Sequence, residues 1–117
     1  MSTELYGLVQ SKITIDDIQA FKAQAKKMKD ATENEIGTLS YDFFINEEKR
    51  EVFIVEKYAN DKAWLAHMEI FTQAEFIPKL LTMQELTSIE MLGPVTEEID
   101  EFFAKGGWAY NNYPLAM

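Results

Sequence analysis

The side chain best suited to acid–base chemistry is His67, which is the single histidine of the chain. Histidine has an ordinary pKa close to neutrality, so it can take up or release a proton at physiological pH. The same residue is also consistent with a structural role, in which its ring closes a helix onto a carbonyl or a carboxylate. We therefore treat His67 as a candidate general base, and its position relative to a cavity decides between the two roles.

Four other residues are candidates for binding a ligand. Tyr41, Tyr58 and Trp64 carry aromatic rings with a polar tip, which can orient a ring and donate a hydrogen bond. Ordinary packing in a core or an interface is the alternative for each of them. Glu56 lies in the middle of a predicted strand, where a carboxylate needs a partner or water. We expect either a surface salt bridge with a neighbouring lysine or a cavity carboxylate paired with His67.

Alternation and capping patterns place these residues on an α+β fold. The order is strand, helix, strand, strand, helix, strand, which is the ferredoxin-like split βαβ arrangement with a four-stranded antiparallel sheet. Helices are expected after the Thr14–Asp17 capping pattern, from Asn60 or Asp61 with a break near Phe71, and after Thr96. The predicted strands are Leu5–Ile13, Thr38–Asn46, Glu51–Tyr58 and Ser88–Leu92.

The length predicts one domain over residues 1–117, with its core at about 5–92. Residues 96–117 are predicted to form a terminal helix, stopped by Gly106 and Gly107, and an aromatic tail. Trp108, Tyr110 and Tyr113 of this tail either reach across a dimer or cover a cavity.

Composition excludes several classes of function. The net charge is −9, so a cationic face for nucleic acid or for an anionic membrane is not expected. The chain has no cysteine and one histidine, which argues against a metal site. There is no glycine-rich phosphate loop, so no cofactor is expected either.

The first residues lack signal-peptide character and no apolar run is long enough to span a bilayer, so we expect a cytoplasmic protein.

The central hairpin is apolar on both of its faces, which predicts a partner. Tyr41 and Phe43 lie on one face of their strand and Phe44 on the other, while Ile54 and Phe53 divide in the same way on the next strand. Two helices can cover only one face of the sheet. A second copy of the chain is the economical cover for the other face, so we predict a homodimer. The alternative is a tail that folds back over its own sheet.

The stretch Glu33–Phe71 resembles the central block of the antibiotic-biosynthesis-monooxygenase-like family of dimeric α/β barrels. Members of that family typically show a PG-x-x-x-Y turn and strand, a strand ending in E-x-W/Y, and a helix ending in histidine. The corresponding residues here are Gly37 with Tyr41, Glu56 with Tyr58, and His67. The usual proline before the glycine is Ile36 in this chain.

This resemblance implies a cofactor-free monooxygenase that acts on a small aromatic or quinol-like substrate, in a cavity of a homodimeric barrel. His67 would deprotonate a phenolic substrate, and Tyr41, Tyr58, Trp64 and Glu56 would line the site. Two alternatives stay open, because one fold hosts many functions. One is a small-molecule-binding or stress-response module without catalysis, and the other is an isomerase that works without oxygen.

Overall fold

The structure is a computed structural model that describes residues 3–117, and its elements follow the predicted order as far as the fourth strand. The elements are β1 (Leu5–Ile13), α1 (Ile18–Thr32), β2 (Thr38–Asn46), β3 (Glu51–Tyr58), α2 (Asp61–Gln73), α3 (Phe76–Leu81), β4 (Gln84–Leu92), α4 (Glu97–Gly106) and β5 (Asn111–Tyr113). The strands form one sheet in the order β2-β3-β1-β4-β5.

Two helix starts follow from capping side chains. The Asp17 carboxylate accepts hydrogen bonds from the backbone N–H groups of Gln19 and Ala20, so α1 begins at Ile18. Asn60 caps α2 by accepting from the N–H of Ala63. In the predicted capping pattern Asp17 was the third residue after Thr14, whereas in the structure Asp17 is itself the cap.

The second helical region is broken as predicted, but a few residues later. Helix α2 ends at Gln73, and Glu75 adopts a left-handed backbone with φ of 59° before α3 begins at Phe76. Pro78 then lies in the first turn of α3, where its missing N–H would have no helical partner. The short helix therefore accommodates the proline without a kink.

The fourth strand is longer than predicted, because it pairs with β1 along the whole length of that strand. It begins at Gln84, which lies opposite Ile13, and it contains an irregularity opposite Gln10 and Ser11. This irregularity disturbs the alternation of apolar residues before Ser88. The sequence pattern there no longer reads as a strand, although the backbone pairing continues.

The sheet has five strands and is mixed, which corrects the predicted four-stranded antiparallel sheet. Gly107 takes a left-handed backbone with φ of 72° and reverses the chain after α4. The tail then returns along the edge of β4 and pairs with it in parallel as β5. Because β5 lies at this edge, the tail borders the open face only beside Tyr6 and Leu92, and it leaves the hairpin part of that face, with Phe44 60% exposed, uncovered. The core arrangement is still ferredoxin-like.

All helical packing is on one face of the sheet, and the opposite face is open. Residues that alternate along β2 and β3 bury Tyr41 and Ile54 against the helices, whereas Phe44 on the open face is 60% exposed. Phe53 and Val55 share that open face and are half-buried. The predicted division of the hairpin into two apolar faces is confirmed. Within residues 3–117, no helix combines the length and apolar character needed to cross a bilayer.

Candidate active site

An apolar cavity of about 110 Å³ lies between the helix-covered face of the sheet and helices α2, α3 and α4. Its wall includes His67, Trp64 and Phe71 from α2, together with Tyr41 and Glu56 from the sheet. All of these residues belong to one chain. The family resemblance implied a cavity in a homodimeric barrel. The cavity found here is lined by residues of one chain on the helix-covered side of the sheet, and the barrel stays a prediction.

His67 is held in place by a buried carboxylate. Its Nδ1 lies 2.7 Å from Oε1 of Glu35, and the same oxygen accepts a hydrogen bond from the hydroxyl of Thr38. The side chains of His67 and Glu35 are 2% and 6% exposed. Since Nδ1–H donates to the carboxylate, the tautomer leaves Nε2 as the basic nitrogen of the ring. No hydrogen bond to Nε2 is found within residues 3–117.

Three aromatic rings surround the imidazole. The ring centroids of Phe71, Tyr58 and Tyr41 lie 4.0, 5.2 and 5.3 Å from that of His67. Burial lowers the pKa of His67, and the hydrogen bond and charge of Glu35 act in the opposite direction without cancelling this effect. The imidazole is therefore neutral at pH 7, which is the state that a general base requires.

Glu56 is a second titratable group on the cavity wall. It is 8% exposed, and it accepts a short hydrogen bond from the hydroxyl of Tyr58. Burial raises the pKa of Glu56 to about 7, the hydrogen bond from Tyr58 opposes this rise, and the charge of Glu35 adds to it. The carboxyl is thus partly protonated near neutral pH and can either donate or accept a proton.

Gly7 leaves space above this carboxyl. It lies directly opposite Glu56 in the β1–β3 pairing and also lines the cavity. A β-carbon at Gly7 would come within 3.6 Å of the Glu56 carboxyl group. The absence of a side chain there keeps one side of Glu56 open to a ligand.

The remaining predicted site residues occupy different places. Tyr41 and Trp64 line the cavity, and burial raises the pKa of the Tyr41 hydroxyl well above its ordinary value, so it remains a donor. Tyr58 does not line the cavity, and its hydroxyl donates a hydrogen bond to the carboxyl of Glu56. Glu56 forms no surface salt bridge with a lysine, because its strand position points it into the protein. The residue paired with His67 is Glu35.

The aromatic tail takes part in the cavity through one of its residues. Trp108 lines the wall beside Phe103, and its backbone N–H donates to the carbonyl of Phe103. Tyr110 stacks on Phe103 at 4.4 Å and donates a hydrogen bond to Asp100. The tail therefore packs within its own chain and covers part of the cavity through Trp108.

The sequence profile of the antibiotic biosynthesis monooxygenase family matches residues 7–84, two thirds of the chain. The matched range contains both carboxylates, His67 and the two tyrosines of the site. The chain belongs to this family. The antibiotic-biosynthesis-monooxygenase assignment from the central block is therefore confirmed, and no curated protein sequence matches the chain.

Solved structures show the same fold as this family member. MupZ from Pseudomonas fluorescens is 22% identical with a TM-score of 0.81, and the match covers 99% of this chain and 93% of MupZ. Rv0793 from Mycobacterium tuberculosis is 21% identical with a TM-score of 0.65, and the match covers 80% of this chain and 97% of Rv0793. A mutant of SnoaB from Streptomyces nogalater, a cofactor-independent oxygenase, is 5% identical with a TM-score of 0.69, and the match covers 81% of this chain and 96% of SnoaB. At these identities the likeness establishes the fold alone.

Glu35 is the site residue of this family member that the sequence analysis missed. It lies in the predicted turn between α1 and β2, where an acidic residue is ordinarily exposed to solvent. The sequence signal that could have pointed to Glu35 was its position two residues before Gly37, just ahead of the family's turn-and-strand motif. Its distance of 32 residues from His67 in sequence gave no indication of the contact.

Proposed function

We propose that this chain is a cofactor-independent monooxygenase acting on a small phenolic or hydroquinone-type molecule. The observation that carries the proposal is the pair of His67 and Glu35, placed beside an apolar cavity. A neutral imidazole with one nitrogen fixed by a carboxylate is a common arrangement for a general base. Family membership and the oxygenase SnoaB among the structural neighbours support the reaction class.

The volume of the cavity favours a single substituted ring. The enclosed space of about 110 Å³ is of the same order as the ~150 Å³ cavity known to accept benzene. Trp64, Phe71 and Tyr41 supply aromatic surfaces against which such a ring can pack. The Tyr41 hydroxyl and the Glu56 carboxyl are the polar groups that would orient it.

The reaction begins with proton transfer from the phenol to Nε2 of His67. The resulting phenolate passes one electron to dioxygen, and the two radicals combine to form a carbon–oxygen bond at an unsubstituted ring carbon. His67 returns its proton to the outer peroxide oxygen. Glu56 takes the proton on the ring carbon as the oxygen–oxygen bond breaks, and then donates it to the departing hydroxide. The sum is phenol plus dioxygen giving quinone plus water, with all electrons drawn from the substrate.

Oxygen uptake with a panel of phenols and hydroquinones tests the proposal. We expect His67→Ala to lower the rate at least about a hundredfold, since general bases typically contribute that much. Glu35→Gln should reduce kcat while leaving KM nearly unchanged, because Glu35 positions His67 without touching the substrate. Because the proposed steps need an ionised Glu56 and a neutral His67, the wild-type rate should fall as the pH drops below about 7, where Glu56 takes up a proton, and the lowered pKa of His67 keeps the imidazole neutral to a lower pH.

No oxygen uptake by the wild-type protein with any substrate of the panel would contradict the proposal. Tight binding without product would instead favour the small-molecule-binding module, which the largely apolar cavity wall also suits. Conversion under anaerobic conditions would indicate an isomerase. Circular dichroism of each variant serves as the control for folding.

The active molecule is proposed to be a homodimer joined through the open face of the sheet. This face carries a group of apolar side chains on β2, β3 and β1 that no helix within residues 3–117 covers: Phe44, Phe53, Val55 and Leu8. Burying a large apolar side chain contributes roughly 1.5–3 kcal/mol, so pairing of two such faces is favourable. The cavity lies on the other side of the sheet, and dimerisation is therefore not required to enclose it.

A further inference from the structure

The cavity has a second polar end, formed by a buried amide at the start of β4. Gln84 is 4% exposed and lines the cavity. Its Nε2 lies 3.0 Å from the hydroxyl oxygen of Ser11 and donates to it. Among residues 3–117, Oε1 of Gln84 has no hydrogen-bond partner. Because Ser11 engages the nitrogen, the oxygen is the unpaired atom of the amide.

An unpaired acceptor in this position lowers the stability of the ligand-free protein. The same acceptor can serve to recognise a ligand that donates a hydrogen bond. A buried polar atom without a partner loses its hydration and gains nothing in return. The neighbouring wall residues are apolar, among them Leu80 and Leu86. A ligand that donates a hydrogen bond to Oε1 would remove this penalty, whereas a ligand with only an acceptor or a hydrocarbon there would leave it in place.

We propose that Gln84 determines substrate specificity by accepting a hydrogen bond from a hydroxyl or amide N–H at the far end of the bound molecule. This inference rests on the proposed function, because it takes the phenol end of the ligand to lie at His67 and Glu56. Gln84 is a specificity-determining residue and takes no part in the proton transfers.

The spacing of the two ends defines the class of ligand. Glu56 lies opposite Gly7 of β1, and the partner of Gln84, Ser11, lies four residues further along the same strand. At about 3.3 Å per residue, the backbones of Gly7 and Ser11 are about 13 Å apart along β1, and we take this as the approximate spacing of the two polar groups. One phenol ring is shorter than this, and a volume of about 110 Å³ favours a narrow ligand over a broad fused system. The fitting ligand is a single phenol ring with a short side chain that ends in a hydrogen-bond donor.

Three probes that differ only at the far end test the inference: para-hydroxypropylphenol, its side-chain methyl ether, and para-butylphenol. Binding is measured by isothermal titration calorimetry, with quenching of Trp64 and Trp108, the two tryptophans of the chain, as a second readout. Wild-type protein should prefer the hydroxyl probe to the methyl ether by about fivefold or more. In Gln84→Met, a substitution of similar length, this ratio should fall to about one, while the affinity for para-butylphenol is kept or improved.

A ratio that is the same in wild type and Gln84→Met would overturn the inference, as would failure of all three probes to bind wild-type protein. Comparison of the probes on the wild type needs no variant, so it remains decisive if Gln84→Met does not fold. Ser11→Ala provides a matched control, because it frees the amide and should weaken the preference without removing it. Binding with the expected ratio but no oxygen uptake would refute the oxygenase proposal and leave the role of Gln84 standing.

Discussion

At the scale of single residues, the protein keeps two carboxyl groups and an imidazole inside an aromatic shell. The three differ in what they contact. Glu35 is bonded to His67, and Glu56 is bonded to a tyrosine hydroxyl and also faces the cavity. This asymmetry separates the carboxylate bonded to His67, the proposed base, from a carboxyl that faces the cavity and is partly protonated near neutral pH. Different environments for two similar groups are how proteins assign them different roles.

Glu56 is expected to make stability depend on pH. In the unfolded chain this carboxyl ionises near its ordinary pKa of 4.5, whereas in the folded protein its pKa is about 7. The folded state therefore holds an extra proton between these values, and stability falls as the pH rises through them. The loss contributed by Glu56 is about 3 kcal/mol, at about 1.4 kcal/mol per pKa unit.

Glu56→Gln should remove this dependence while retaining an acceptor for the Tyr58 hydroxyl. Urea unfolding of both proteins between pH 5 and pH 8 measures it. The unfolding free energy of Glu56→Gln, relative to that of the wild type, should increase as the pH rises. Parallel curves for the two proteins would show that Glu56 is not desolvated in the folded state.

At the scale of elements, the start of β2 and the helix α2 approach each other unusually closely. A β-carbon added at Gly37 would lie 2.3 Å from the β-carbon of Ala63, which is far inside van der Waals contact. The carbonyl of Gly37 also accepts the N–H of Ala59, which ties the turn to the end of β3. Because Glu35 and His67 lie on these two segments, the close approach helps bring the pair together.

Gly37→Ala is expected to lower the free energy of unfolding by about 1–3 kcal/mol, the usual cost of overpacking. Gly37→Ala combined with Ala63→Gly is the matched control, because it restores the space on the opposite side. Denaturant unfolding of the two single variants and the double variant measures the coupling. If the double variant is no more stable than Gly37→Ala alone, the contact with Ala63 is not the reason for the glycine.

At the scale of the whole molecule, the sheet separates two functions. One face, covered by the helices, encloses the cavity, while the other carries exposed apolar side chains suited to a second copy. The two faces are built from alternating residues of the same strands, so adjacent residues such as Phe43 and Phe44 point to opposite faces of the sheet. Association and ligand binding should therefore be separable by mutation.

Phe44→Asp is expected to shift the molecule from dimer to monomer at micromolar concentration, because it places a charge among the apolar side chains of the open face. Size-exclusion chromatography with light scattering measures the mass. Ile36→Asp is the matched control, since Ile36 is fully exposed but lies in the turn before β2, away from this face. The Phe44→Asp protein should still bind the phenol probes. A wild-type mass equal to one chain would contradict the dimer.

Local patterns in the sequence were sufficient for most of the architecture. Strand alternation is an i to i+2 relation and helix capping spans three residues, so both can be read without the tertiary fold. The bounds of β1, β2 and β3 were predicted correctly, as were the cap at Thr96 and the division of the hairpin into two apolar faces. The start of β4 was missed because a register irregularity interrupts its alternation.

The ferredoxin-like order of elements, the family and the candidate residues His67, Tyr41, Trp64 and Glu56 all follow from the amino-acid sequence. The three-dimensional fold was needed to show that Glu35 is the partner of His67, that Glu56 is buried against Tyr58, and that the tail forms a fifth strand. Each of these depends on contacts between segments distant along the chain. Such contacts are set by how whole elements pack, and a single sequence carries no local signature of that packing.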